Sequence, residues 1–331
     1  TSYNKINGIY SSVNKNLVTT ILRSEWGYKG FVMSEWGASG AITDRVLAQN
    51  DLSMPGSDSD VELITKAIDE GKITKEQIDV CCANILRIVT KTNTFNGRNG
   101  GDLDTDSGIA ISKEAAAEGM VLLKNENDVL PLASGDTIAV FGRAQTGTLF
   151  SGNGSGGAHV AGCQTLLEAC EETGLVPEPL LKGFYAYKFA GEPVSEADEF
   201  DWTKVSEMVN SGIMYEIFGR YRPPVEEFEI PDTLAQQAAE KTDTALLVLG
   251  RNSGGEECDR HKESDYFLTA SEEKLVATVC RHFLRVVVVL NTNGLVDLSW
   301  MEKYPSVKAI LFAGIPGEQG AGAVARILSG Q

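Results

Sequence analysis

Five short, almost wholly apolar runs, at 121–123, 137–141, 245–249, 287–290 and 309–312, do most to limit what this chain can fold into. They are rich in Val, Ile and Leu, and strands buried on both faces read as continuous apolar runs rather than as an alternation. Stretches of helical periodicity lie between them, and the helix expected to run through Val279 opens on Thr269-Ala270-Ser271-Glu272, a capping-box pattern. Strands that alternate with helices build a mostly parallel sheet sandwiched between helices.

The residues ahead of these runs have a different order. Residues 12–26 place apolar side chains at helical spacing and Gly27 follows as a stop signal. A strand is expected over 30–34, a turn at Met54-Pro55-Gly56-Ser57, and helices over 60–70 and 75–91. That order is the one found in a βα-barrel, yet residues 1–95 are too few to close a barrel of about 250 residues. The expected fold class is therefore α/β: the C-terminal portion of a (β/α)8 TIM-like barrel over 1–95, a Gly/Asn-rich linker over 96–110, and a sandwich domain over 111–331 that starts with a helix over 112–119.

The chain has 331 residues, 42% of them hydrophobic, enough for two substantial cores. Lys and Arg number 29 against 46 Asp and Glu, a net charge of -17 that repels phosphate backbones and anionic lipid, so neither nucleic acid nor a membrane is an expected partner. No apolar run approaches the roughly 20 residues that span a bilayer. The opening Thr-Ser-Tyr-Asn-Lys has neither Met nor a signal-peptide pattern, and the chain is expected to begin inside a longer protein. The six cysteines form no C-x-x-C pair and no Cys/His cluster with metal spacing. Neither a metal nor another cofactor is expected, and thiols in apolar helical contexts favour a reducing, cytoplasmic compartment over secretion. With only His159, His261 and His282 available, carboxylate chemistry is favoured over a histidine triad.

Residues 30–37, Gly-Phe-Val-Met-Ser-Glu-Trp-Gly, run an apolar strand into an acid. In a parallel barrel the C-terminal end of a strand faces the active site, where Glu35 would project and Trp36 would offer a flat face to a sugar ring. The competing reading is an ordinary strand that ends in a solvated acid. Ser151-Gly152-Asn153-Gly154-Ser155-Gly156-Gly157 formally matches the dinucleotide fingerprint, but the strand over 137–141 ends well before Gly152, which argues against a nucleotide. The loop from Gly250 to Arg260 carries Glu256, Glu257 and Asp259. An acid there, together with Glu35, would supply the two carboxyls that glycoside hydrolysis requires; a solvated charge cluster is the alternative.

Tyr3-Asn4-Lys5-Ile6-Asn7-Gly8, Lys29 through Gly37, Asp51-Leu52-Ser53-Met54-Pro55-Gly56, Leu122-Leu123-Lys124-Asn125 with Leu130-Pro131-Leu132, Gly250-Arg251 through Asp259-Arg260, and Pro316-Gly317-Glu318 together resemble family 3 glycoside hydrolases. The motifs stand in the family's order and span essentially the whole chain. The resemblance implies the second half of a barrel followed by an α/β-sandwich domain, and a retaining exo-β-glycosidase, most simply a β-glucosidase. It places Glu35 as nucleophile, Glu256 as acid/base with Glu257 the neighbouring alternative, and Tyr3, Trp36 and Ser155 as residues that touch the sugar. The expected partners are a small carbohydrate substrate and the missing N-terminal barrel segment of the same protein.

Two departures accompany the resemblance. The family pattern has aspartate where this chain has Glu35, and a displacement near 1 Å at a reacting centre costs on the order of a hundredfold in rate. The first half of the barrel, which in the family holds the sugar hydroxyls, is absent from these residues, and the fragment alone is expected to be inactive. A non-catalytic carbohydrate-binding or regulatory paralogue is the alternative function. The 215–229 stretch, with Phe218, Arg220, Tyr221 and Arg222, is a candidate outer subsite or simply packed surface.

Overall fold

The structure, a computed structural model, describes residues 1–98, 100–102, 104–152, 163–192, 225–251 and 262–331. Contacts divide these residues into two compact units, one before Asp104 and one from Asp104 onward.

The first unit starts with a two-stranded antiparallel ribbon, β1 (Lys5–Ile6) and β2 (Ile9–Tyr10). The helix expected over 12–26 is split. Ser11–Val13 forms a 3-10 turn, Asn14 is extended, and a π-helix occupies Asn16–Glu25. Asn14 causes the break: its side-chain oxygen accepts the Leu17 N–H at 3.1 Å and so caps the second piece. Gly27 ends the helix in the left-handed region, at φ 68°. Helices Asp58–Asp69 and Lys75–Val89 each open on a complete capping box, Ser57 with Asp60 and Thr74 with Gln77. Val46, Ala67, Ile73 and Cys81 form this unit's small core.

The strand expected over 30–34 is reduced to a single parallel bridge, Met33 to Leu52. The Asp51 N–H (2.8 Å) and the Leu52 N–H (3.1 Å) both bond the Val32 carbonyl, and the Ser34 N–H bonds the Leu52 carbonyl at 2.9 Å. The two segments therefore lie parallel, but they pair over too few residues to form a ladder.

The second unit is a six-stranded sheet in the order β3-β8-β7-β6-β4-β5, where β3 is Val121–Asn125, β4 Thr137–Phe141, β5 Val176–Pro177, β6 Thr244–Arg251, β7 Arg285–Thr292 and β8 Val307–Phe312. Only β3 runs antiparallel to its neighbour. Alternate residues of the central strands feed two cores. Ile138, Val140, Leu246, Val248, Val287 and Val289 meet helices Leu166–Glu172 and Gly320–Ser329 on one face. Ala139, Phe141, Leu247, Leu249, Val288 and Leu290 meet helices Pro179–Ala190, Asp232–Ala239 and Ala270–His282 on the other. Burial on both faces explains why these strands carry no polar alternation.

β3 departs from that pattern. Val121, Leu122 and Leu123 were expected to be buried but are 47–49% exposed, because β3 is an edge strand paired on one side only. The helix expected over 112–119 begins earlier, at Thr105, where the Asp104 carboxylate accepts the Ser107 N–H at 3.0 Å and caps it.

Candidate active site

Glu35 stands where the segment paired to Leu52 ends, and backbone bonds fix its position. Its N–H donates to the Thr1 carbonyl at 2.9 Å and its carbonyl accepts the Ala38 N–H at 3.1 Å. The side chain is exposed, and one carboxylate oxygen accepts the Trp36 N–H at 2.8 Å. Trp36 is half-buried, and the Tyr3 hydroxyl donates to its carbonyl at 2.7 Å. Tyr3, Glu35 and Trp36 are thus brought together on one end of the first unit. Ser34, buried, turns inward: its hydroxyl accepts the Met54 N–H at 2.8 Å and locks the Glu35 segment to the next one.

Asp51 is the hub of the two paired segments. One oxygen accepts the Val32 N–H at 2.8 Å and the Arg23 guanidinium at 2.5 Å, and the other accepts the Asn84 amide at 3.0 Å. Arg23 also donates to the carbonyls of Gly30 at 2.9 Å and Gln49 at 3.0 Å, at the roots of the two paired segments. The Asp51 side chain is fully buried, so its charge is tolerable only because Arg23 and these donors surround it. Asp51 belongs to a motif visible in the sequence, but its role is not, because its partners Arg23 and Asn84 are distant in sequence and only folding brings them to it.

In the second unit the chemistry gathers at the carboxyl ends of the parallel strands. The chain leaves β4 for β5 on one side and returns to β6 on the other, so β4 and β6 flank the point where strand order reverses, the usual ligand crevice of such sheets. Gly142 follows β4 at φ 97°, where a Cβ would lie 1.9 Å from the Val248 carbonyl oxygen, so only glycine lets the chain turn there. Arg251, the last residue of β6, is buried. It pairs with Glu272 and donates to the Phe267 carbonyl at 2.9 Å. Asn291, near the end of β7, bonds both the N–H (2.7 Å) and the carbonyl (2.9 Å) of Leu149 and also the Gly314 carbonyl (2.8 Å), which ties together the loops after β4 and β8. Arg251 is visible in the sequence within a motif and Glu272 within a capping box, but neither shows this supporting role there. Asn291 directly follows the apolar run 287–290 and Arg251 stands two residues past 245–249, and a polar residue at such a strand end is the one signal the sequence holds.

Among the described residues no group of three or more His, Cys, Asp and Glu is placed to hold a metal ion, and no helix is long and apolar enough to cross a membrane. Cys81, Cys82, Cys163, Cys170 and Cys280 are free thiols, and burial pushes those of Cys81 and Cys170 up to about 12.

Comparison with known proteins identifies the scaffold. The sequence profile of the glycosyl hydrolase family 3 C-terminal domain matches residues 120–331. The chain belongs to glycosyl hydrolase family 3. Its fold superposes on β-glucosidase 3B from Thermotoga neapolitana in complex with α-D-glucose with a TM-score of 0.84 and 32% identity, over 99% of this chain and 45% of that one. Thermostable β-glucosidase B of Acetivibrio thermocellus is 28% identical over 334 residues, which is 100% of this chain and 39% of that protein. An exo-α-(1→6)-L-arabinopyranosidase of Bifidobacterium breve is 26% identical over 339 residues, again 100% and 39%. The chain thus spans less than half the length of these family 3 relatives.

Of the residues expected from the family 3 pattern, the structure places Tyr3, Glu35 and Trp36 as described. Ser155, Glu256 and Glu257 lie outside the described residues, as do Asp259-Arg260, Cys258, His159, His261 and the aromatic and arginine side chains at 218–222.

Proposed function

We propose that this chain is the C-terminal part of a retaining exo-β-glycosidase that removes terminal non-reducing β-D-glucosyl residues. It comprises the last part of a TIM-like barrel over 1–95, a linker over 96–110 and the sandwich domain over 111–331. The missing N-terminal segment of the same protein completes the barrel. What carries this reading is the likeness to a glucose-bound family 3 β-glucosidase across 99% of the chain. A braced, solvent-facing Glu35 beside Trp36 supports it.

The chemistry assigned is double displacement. The Glu35 carboxylate attacks the anomeric carbon while Glu256 gives its proton to the departing glycosidic oxygen, which forms a glycosyl ester on Glu35. Glu256, now a base, takes a proton from water, and the hydroxyl displaces Glu35 with net retention. Trp36 supplies a flat face for the ring, Tyr3 fixes the Trp36 backbone, and Ser155 is a further residue assigned to the sugar. In this structure one Glu35 oxygen rests on the Trp36 N–H, and the other can attack while that bond holds.

Glu35 in place of aspartate favours one alternative, a non-catalytic sugar-binding paralogue. Hydrolysis of a panel of aryl β-glucosides, β-xylosides and α-L-arabinopyranosides by the full-length protein, with and without Glu35→Asp, separates the two. Turnover that rises about a hundredfold with aspartate supports a glycosidase with a misplaced nucleophile. Sugar binding with no turnover in either form supports the paralogue.

A further inference from the structure

Glu227 lies in the short segment 225–230, and its carboxyl group has no side-chain cation bonded to it among the described residues. Both of its oxygens face the Arg143 N–H, at 2.9 and 3.3 Å, just past the end of β4. Its own N–H donates to the Ser271 hydroxyl at 3.1 Å, in the first turn of helix Ala270–His282. The next residue, Phe228, packs edge-on against Phe189 with ring centres 5.1 Å apart and against Tyr185 at 6.0 Å. One carboxyl group thus joins the segment to the end of β4, while its backbone joins it to a helix on the same face of the sheet.

The one cation near it, the Arg143 guanidinium, is shared with another acid. The Arg143 guanidinium stacks over Phe228, 4.1 Å from the ring centre, and pairs with Glu192 at 2.6 Å. Glu272, from helix Ala270–His282, is a second carboxylate nearby and is itself held by Arg251. The Tyr185 hydroxyl, on helix Pro179–Ala190, accepts the Gly142 N–H at 2.7 Å, and burial drives its ionisation far above the ordinary phenol range. Glu226 and Glu229, the remaining acids of the segment, are exposed.

We propose that Glu227 is a proton-operated latch that holds residues 225–230 against the carboxyl end of β4 while its carboxyl group is protonated and loosens its hold when that group ionises. A neutral carboxyl still accepts the Arg143 N–H, whereas an ion in this half-buried place gives up part of its hydration for one backbone donor and a guanidinium already paired with Glu192. Burial, assisted by Glu272 and opposed by both the N–H and the guanidinium of Arg143, pushes the Glu227 carboxyl up to about 7. A free glutamate titrates near ~4.3, so the hold is fully present below that pH and is lost as pH rises through about 7. The latch stands beside the Arg251–Glu272 pair, so its release would be felt at the root of the loop that leads to Glu256.

Hydrogen exchange of the 226–230 amides in the full chain, corrected for intrinsic rates, tests this between pH 4 and 8.5. The opening constant is expected to climb by up to about tenfold per pH unit between ~4.3 and 7 and then to level off, while amides of β7 stay unchanged. Glu227→Gln, neutral at every pH, is expected to keep the low-pH value throughout. A flat wild-type profile, an unchanged slope in Glu227→Gln, or a parallel rise in β7 would overturn the latch. If the glutamine variant does not fold, the wild-type profile against β7 decides by itself.

Discussion

Arg251 and Glu272 form an ion pair almost sealed from solvent, with side chains 1% and 5% exposed, at the point where β6 gives way to the residues that lead to Glu256. Glu272 also accepts the Thr269 N–H at 2.7 Å, so one carboxylate caps a helix and holds the strand end at the same time. Glu272→Ala leaves Arg251 charged and buried and is expected to destabilise the protein by about 3–5 kcal/mol. Replacing both residues with Met and Leu is expected to restore most of that loss. Denaturant unfolding of the single and double variants checks both statements; a double variant as unstable as Glu272→Ala would contradict them.

Asp51→Ala removes the hub shared by Val32, Arg23 and Asn84. The expected cost is about 3–5 kcal/mol, because Arg23, with its side chain only 10% exposed, loses its counter-charge. The same change is expected to lower glycoside turnover in the full-length protein, since the Glu35 segment is paired to the residues beside Asp51. Thermal unfolding and rate, measured on one preparation, test the two effects together.

Gly142→Ala places a methyl group against the Val248 carbonyl in a left-handed backbone. A loss of at least about 2 kcal/mol is expected from strain and clash combined. Gly183→Ala, in a helix with open space around the added atom, serves as the control and is expected to be neutral or slightly stabilising.

The sheet was legible in the sequence because its strands are buried on both faces: the continuous apolar runs at 245–249 and 287–290 correspond to β6 and β7, and the alternation of strands with helices gave parallel order. β3 was misjudged for the same reason. Val121, Leu122 and Leu123 are as apolar as a central strand, and nothing local distinguishes a strand with one neighbour from a strand with two. The capping box formed by Thr269 and Glu272 was readable from spacing alone. The split at Asn14 was not, since it depends on one side chain choosing a backbone partner. Glu35, Trp36 and Tyr3 were legible through their motif, whereas Asp51, Glu227 and Asn291 act through partners far away in sequence and become visible only in three dimensions.

Trp36→Ala removes the proposed sugar platform while leaving the backbone that Tyr3 and Glu35 bond. An increase of roughly twofold to tenfold in KM for an aryl β-glucoside is expected, with little change in Tm, matching the ~0.5–1.5 kcal/mol of a ring contact. A fall in Tm large enough to unfold the protein would instead assign Trp36 to packing.

The central claim is that Glu35 is the nucleophile of a double displacement. The most direct measurement is peptide mass analysis of the full-length protein after incubation with a 2-deoxy-2-fluoro-β-glucoside that has a good leaving group. The expected result is a fluoroglucosyl adduct on the peptide that contains Glu35, absent in Glu35→Gln. Hydrolysis of aryl glucosides with the adduct on another residue, or with no adduct at all, would contradict the claim.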